Sequence, residues 1–290
     1  MEDFASRWKY RLSQDSLTDY SHIVDEAMDS ICQEVQQPAT VANEDVNIDF
    51  SSFVPQESLN PQVWINNKIN SRVRLRLMDI GDDFFNSLNI DWVKPLDILL
   101  TGSMANYNWS KYSDFDLHIL IDFKDVDENV DFVHEYFTSK KKIWNEQHEE
   151  LKIYGYPVEV YAQDINENLI SNGIYSLYQN KWIIEPEKDN IKALGREKFI
   201  IKQKAIDTMK KIDALYDKAM DFSLQSDSDK VLNQIAKLIS IIKGIRKNSL
   251  QRYGEMAPGN IFFKILRRTG YMEKLLKAKT IAYDRKESIY

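Results

Sequence analysis

Asp114 and Asp116 stand two residues apart at the head of an apolar run, Leu117 to Ile121. On a strand, alternate side chains share a face. Asp114, Asp116 and His118 then point one way, and Phe115, Leu117 and Ile119 point the other way, into a core. Two carboxylates side by side on one strand face repel each other. A cation between them removes the conflict, and Mg2+ favours a few carboxylate oxygens together with substrate phosphates. Upstream, Gly102-Ser103 closes a second apolar run, Leu96 to Leu100. Glycine has no Cβ to hold a phosphate at a distance, and Ser103 offers a hydroxyl and a backbone N–H to phosphate oxygens. A helix starting over Met104 to Asn108 would add its N-terminal dipole. These residues spell a metal-dependent phosphate site.

Two strands must carry the site, Leu96 to Thr101 and Asp114 to Ile121, joined by a polar, aromatic turn containing Tyr107, Trp109 and Tyr112. These rings suit either stacking on a base or packing the loop. Ser113 reads as a partner for a carboxylate or a phosphate, or as a turn residue. His118 shares the Asp face but lies about 7 Å along the strand from Asp116, at ~3.3 Å per residue. It reads as structural, or as a support behind the ligands, rather than as a ligand.

Gly102-Ser103, the turn, and Asp114-x-Asp116 resemble the signature of the DNA polymerase β-type nucleotidyltransferase superfamily. The resemblance covers roughly Pro61 to Pro186. It implies an α+β fold: a small mixed β-sheet core with helices on one side, followed by a helical C-terminal domain. It also implies a third carboxylate on a later strand. Glu159, between Val158 and Val160, is the candidate, with Asp164 and Glu167 as competitors. By resemblance, Asp114 and Asp116 bind two Mg2+ ions, Asp116 bridges them, and Glu159 holds the ion that activates an acceptor hydroxyl. The implied reaction moves a nucleoside monophosphate from a nucleoside triphosphate to that hydroxyl and releases pyrophosphate. Gly102, Ser103 and Ser113 would cradle the triphosphate. Lysines of the helical half, Lys202 and Lys237 foremost with Lys198 and Lys243 beside them, would neutralise it. The acceptor stays open: an RNA end, a protein hydroxyl, a small molecule or another nucleotide. A non-catalytic nucleotide- or RNA-binding relative is the competing reading, and the intact Asp pair argues against it.

Composition sets the outer bounds. The chain has 290 residues, 43% of them hydrophobic, enough for one large domain or two modest ones. A single cysteine, Cys32, excludes an intramolecular disulfide. With no secretory leader read after Met1, a reducing cytoplasm is the expected setting. No apolar run approaches the ~20 residues of a membrane span. Residues 196–290 hold 21 Lys and Arg against 11 Asp and Glu, a net of +10, whereas residues 1–195 hold 17 against 34, a net of −17. An acidic metal-binding half and a basic half together suit a triphosphate, although plain mutual attraction explains the split equally well. No zinc motif, Walker loop or serine triad is present.

The expected elements follow in order. Residues 1–60 read as an amphipathic helix, containing Cys32, and then an extended linker over 36–60. Residues 61–188 read as the catalytic core and 189–290 as the helical domain. Asn60-Pro61 starts a helix whose stripe runs from Ile65 to Leu88, leaving Arg72, Arg74 and Arg76 on a solvated face. Asp127 caps a helix with Val133, Phe137 and Trp144 on its apolar side. Pro157 to Gln163 forms the strand carrying Glu159, and Ile174–Leu177 with Trp182–Ile184 forms a hairpin. Two long helices follow over 192–220 and 231–253, then a third over 260–268 and a short last one over 271–279. Lys264, Arg267 and Arg268, extended by Lys274, Lys277 and Lys279, read as a solvated amphipathic face before a phosphate-binding one.

Overall fold

The computed structural model describes residues 48–167, 169, 171–188, 195, 197–221 and 228–288. The expected helix over residues 1–35, with Cys32, lies outside them. The chain divides into two compact units, Ser51–Ala193 and a second that holds Leu194–Tyr290. Among the described residues, no helix is long and apolar enough to cross a membrane.

The first unit opens with a hairpin of β1 (Trp64–Ile65) and β2 (Lys68–Ile69), followed by α1 (Ser71–Ser87). Asn66 and Asn67 both have positive φ, 49° and 64°. Asparagine tolerates this left-handed backbone, which a two-residue hairpin turn demands. The helix expected from Asn60 therefore starts only at Ser71, capped by the Asn70 side chain. The supposed linker also fails from Ser51 onward. Phe53, Leu59 and Asn60 are buried, and the Gln56 N–H donates to the Tyr107 carbonyl at 2.6 Å.

A mixed sheet follows: β3 (Asp97–Thr101), β4 (Phe115–Ile121), β5 (Lys152–Ile153), β6 (Tyr156–Asp164), β7 (Ile174–Ser176) and β8 (Lys181–Ile184). The strand order is β5-β6-β4-β3-β7-β8. β4 and β6 run parallel, and the other neighbours are antiparallel. A parallel pair needs a crossover, supplied by α2 (Phe123–Val126) and α3 (Val130–Gln147). The caps of these helices are Asp122 and Asn129. Asp127, expected to cap, instead accepts from the Asn129 N–H at 2.8 Å.

One face of the sheet is apolar. Phe115, Leu117 and Ile119 of β4, Val158 and Val160 of β6, and Ile98 and Leu100 of β3 belong to one core with Val73, Leu77, Ile80 and Phe84 of α1 and Val133, Phe137 and Trp144 of α3. The fold is α+β, with helices on one side of a mixed sheet. Arg74 is bound rather than solvated: its Nε donates to the Leu177 carbonyl at 2.6 Å. Past its short pairing with β5, β6 is the sheet's edge. There the Asn145 side chain donates to the Val160 carbonyl at 3.3 Å and accepts from the Val160 N–H at 3.2 Å.

The second unit contains α4 (Glu197–Met220), α5 (Ser228–Tyr253), α6 (Pro258–Arg268) and α7 (Tyr271–Glu287). Ile201, Ile212, Ile235, Ile242, Phe262, Leu266 and Leu275 are buried. Pro258 occupies the first turn of α6, where its missing N–H costs nothing. α7 outlasts the expected stop at Lys279 by two turns. Its Arg285 donates to the carbonyls of Met220 and Asp221 at 2.7 and 2.8 Å, capping α4. Lys264 pairs with Glu255 at 2.5 Å, Lys274 with Asp213 at 2.6 Å and Lys286 with Asp229 at 3.2 Å.

Candidate active site

Strand register assembles the site. Thr101 of β3 lies opposite Asp116 of β4, and Asp116 lies opposite Glu159 of β6. Asp114 immediately precedes β4. Asp114, Asp116 and Glu159 each offer a carboxylate oxygen within 4.8 Å of the others, and none of the three is buried. At an effective dielectric near 20, two unit charges at such a distance repel by about 3 kcal/mol. Three hard oxygen donors that converge and stay open to solvent form a suitable set for a divalent metal.

The competitors for the third position are engaged elsewhere. Asp164 is buried and accepts from the Asn166 N–H at 3.1 Å and the Phe123 N–H at 3.5 Å. Glu167 accepts from Gln163 at 2.6 Å and faces His134 at 3.8 Å. Burial holds its carboxyl above the usual range despite the neighbouring histidine.

Gly102 turns the chain from β3 toward the site with φ of 71°. A Cβ placed there would come within 2.0 Å of the Asp116 Oδ2. Glycine is thus required twice, for its backbone and for the space beside the carboxylate. Ser103 Oγ and Ser113 Oγ are hydrogen-bonded at 2.8 Å, and Ser113 also accepts from the Ser110 N–H at 2.9 Å. Ser113 thereby fixes Ser103 as well as the turn. The expected helix over Met104 to Asn108 is only a 3-10 turn, Ser103–Ala105. It is too short to supply a helix dipole. Trp109 donates to the Ser58 carbonyl at 2.8 Å, and Tyr107 packs on the core with it. Of the three loop aromatics, Tyr112 is the exposed one.

Behind the carboxylates sits a polar network. His118 is 2% exposed. Its Nε2 meets Thr101 Oγ1 at 2.9 Å and the Tyr161 hydroxyl at 2.5 Å, while its Nδ1 faces Gln163 Oε1 at 3.3 Å. Burial, aided by the Lys141 charge, pushes the imidazole down to about 3, so it is neutral. Burial and then the charges of Asp116, Glu167 and Glu159 push the Tyr161 phenol far up, so it stays protonated. Lys141 Nζ lies 4.2 Å above the Tyr161 ring. His118 is thus buried and fully engaged by neighbouring side chains.

Residues 83–218 match the family model of the nucleotidyltransferase domain. That domain is of the polymerase β type, and the match covers just under half of the chain. No curated protein and no solved structure matches the chain. The matched span contains Gly102-Ser103, Asp114, Asp116 and Glu159. Lys202 and Lys237, the expected phosphate partners, are exposed on α4 and α5 of the helical unit, outside the unit that holds the three carboxylates. Sequence reasoning on this nucleotidyltransferase domain missed Thr101, Tyr161 and Gln163 as partners of His118. Their only signal was parity: each lies on the same face as Asp116 or Glu159 once the register is known.

Proposed function

We propose that the protein is a metal-dependent nucleotidyltransferase that moves a nucleoside monophosphate from a nucleoside triphosphate to a hydroxyl acceptor. The observation that carries this reading is the convergence of Asp114, Asp116 and Glu159 beside the Gly102-Ser103 bend. The acceptor oxygen forms a bond to the α-phosphorus, the bond from that phosphorus to the β-phosphate oxygen breaks, and pyrophosphate leaves.

Asp114, Asp116 and Glu159 are the residues that would hold divalent metal ions, Mg2+ foremost. When bound, such ions neutralise phosphate charge and lower the pKa of a coordinated hydroxyl. Glu159, at the edge of the row, takes up the acceptor's proton. Gly102 lets a phosphate approach the backbone, and Ser103 donates its hydroxyl and N–H to phosphate oxygens. Ser113 keeps the Ser103 side chain in place. Lys202 and Lys237 are retained as cations for the triphosphate. The acceptor class is an RNA, a protein or a small molecule, and the setting is a reducing cytoplasm, supported by a chain with a single cysteine.

The test supplies each of the four triphosphates, labelled, with Mg2+ and a panel of RNA, protein and aminoglycoside acceptors. The expected result is pyrophosphate release that needs the metal and disappears in Asp116→Ala. No turnover in any combination, with nucleotide binding unchanged in Asp116→Ala, would replace this reading with a non-catalytic binding role.

A further inference from the structure

The polar network behind the carboxylates is out of character with its surroundings. Along the same strand face, Leu99 and Leu120 are 1% and 2% exposed, and a leucine would fill the place of His118 equally well. Instead, a buried imidazole spends three polar contacts on both neighbouring strands: Thr101 of β3, and Tyr161 and Gln163 of β6.

The proton positions in this network are fixed from its outer end. The Glu167 carboxylate accepts from Gln163 Nε2 at 2.6 Å. That bond orients the Gln163 amide, so its Oε1 faces His118 Nδ1 as an acceptor. Nδ1 must then carry the ring proton, and Nε2 is left as an acceptor. Both hydroxyls that meet Nε2 can only donate to it, in a three-centre arrangement.

Those two hydroxyls flank the carboxylates. Thr101 is the cross-strand partner of Asp116. Tyr161 stands two residues beyond Glu159, on the same face of β6. Were His118 apolar, each hydroxyl would need another acceptor; Asp116 lies across the strand pair from Thr101, and the carboxylates whose charge reaches Tyr161 are Asp116, Glu167 and Glu159.

We propose that His118 is a positioning residue of the metal site: by accepting from Thr101 and Tyr161 it ties β3 and β6 to β4 and keeps the Asp116 and Glu159 oxygens directed to a divalent cation. The inference rests on the metal-dependent reading above and adds a role that none of the three carboxylates performs. Partners that orient metal ligands from behind typically change metal affinity by about 10–100-fold when removed.

The probe is Mn2+ alone, titrated into the full-length protein and followed by the paramagnetic resonance of the free ion. The variants are His118→Leu, Thr101→Val, Tyr161→Phe and Asp116→Ala, each with a melting curve. Wild-type protein binds Mn2+ and Asp116→Ala does not. His118→Leu is expected to bind about tenfold or more weakly while melting cooperatively. Thr101→Val and Tyr161→Phe, which remove one hydroxyl each with little change of shape, are each expected to reproduce part of that loss in the wild-type background. Neither adds to it in the His118→Leu background. A purely structural role would lower the melting temperature and leave the affinity of the folded fraction untouched.

A folded His118→Leu protein with wild-type Mn2+ affinity overturns the proposal while leaving the metal reading intact. Wild-type protein that binds no Mn2+ overturns both. If His118→Leu does not fold, wild-type affinity in both Thr101→Val and Tyr161→Phe overturns the positioning role by itself.

Discussion

In the sheet unit, three side chains of the same charge are gathered within 4.8 Å of one another. In the helical unit, charges are matched with their opposites: Glu255 with Lys264 and Asp213 with Lys274, both pairs partly buried, and Asp229 with Lys286 on the surface. The sheet tolerates its unfavourable cluster because hydrogen-bonded neighbours and an apolar floor of Phe115, Leu117 and Ile119 hold the strands in register whatever the carboxylates prefer. The helices, by contrast, use charge to finish their own packing. Under the proposed reading, the contrast separates residues kept for chemistry from residues kept for folding. It also changes the reading of the basic half: Lys264 and Lys274, first taken for a solvated face, stabilise helix contacts.

The largest effect that sharpens this contrast is expected from Asp116→Ala. If Asp116 is the metal ligand proposed above, its loss removes several kcal/mol of transition-state stabilisation, about a thousandfold or more in turnover. The melting temperature of the metal-free protein should stay level or rise, because like charges have been separated. A clear fall in thermal stability would mean that Asp116 holds the fold together, and the contrast would break.

Gly102→Ala comes next. Its positive φ and the 2.0 Å approach to Asp116 predict a cost of about 1–3 kcal/mol in stability, visible in urea unfolding, together with loss of Mn2+ binding. An unperturbed Mn2+ titration in the folded variant would show that the bend does not shape the site.

The helical unit should answer to acid and not to metal. Burial alone would raise the Glu255 carboxyl, but Lys264, Arg246 and Asn260 outweigh it and hold the pKa below the ordinary 4.5. Its stabilising contribution is therefore complete above pH 4.5 and is lost as pH falls through the lower, folded value. Asp97 behaves in the opposite sense. Burial, against the bond from Ser176, raises its pKa above 3.8, so its contribution is greatest in acid and fades as pH rises. Hydrogen-exchange protection factors, corrected for the intrinsic rate, are expected to fall between pH 6 and 3 around Glu255 and α6 before β3. Lys264→Met should destabilise by about 2 kcal/mol, the scale of a hydrogen bond to a charged group, without altering Mn2+ affinity. The smallest expected effects are those of Lys202→Ala and Lys237→Ala. Each should raise the KM for the triphosphate a few-fold, as loss of a solvent-screened charge does, and leave kcat unchanged.

Local chemistry made much of this legible in advance. Apolar runs ending in Gly102-Ser103 and starting at Asp114 announce two adjacent strands because the core they need is contiguous in sequence. The family resemblance, which expects a carboxylate flanked by apolar residues, put Glu159 forward with Asp164 and Glu167 still competing, and the register of β6 on β4 places Glu159 beside the Asp pair. The hairpin at Asn66-Asn67 was missed because its strands are two residues long, too short for any period to show. The start of α1 was misplaced with it, since Asn60 and Asn70 carry the same capping chemistry. The partners of His118 were out of reach for a different reason. Tyr161 and Gln163 are brought beside it only by the parallel register of β4 and β6, which no local pattern encodes.

That same parallel pairing leaves the outer rim of β6 without a full-length neighbour, and a bare rim invites strands from other molecules. The carboxamide of Asn145 occupies both main-chain groups of Val160 at that rim. Protection of this rim thus rests in part on one side chain, bonded to the residue next to Glu159. Its removal should show itself as concentration-dependent self-association before any change in the reaction.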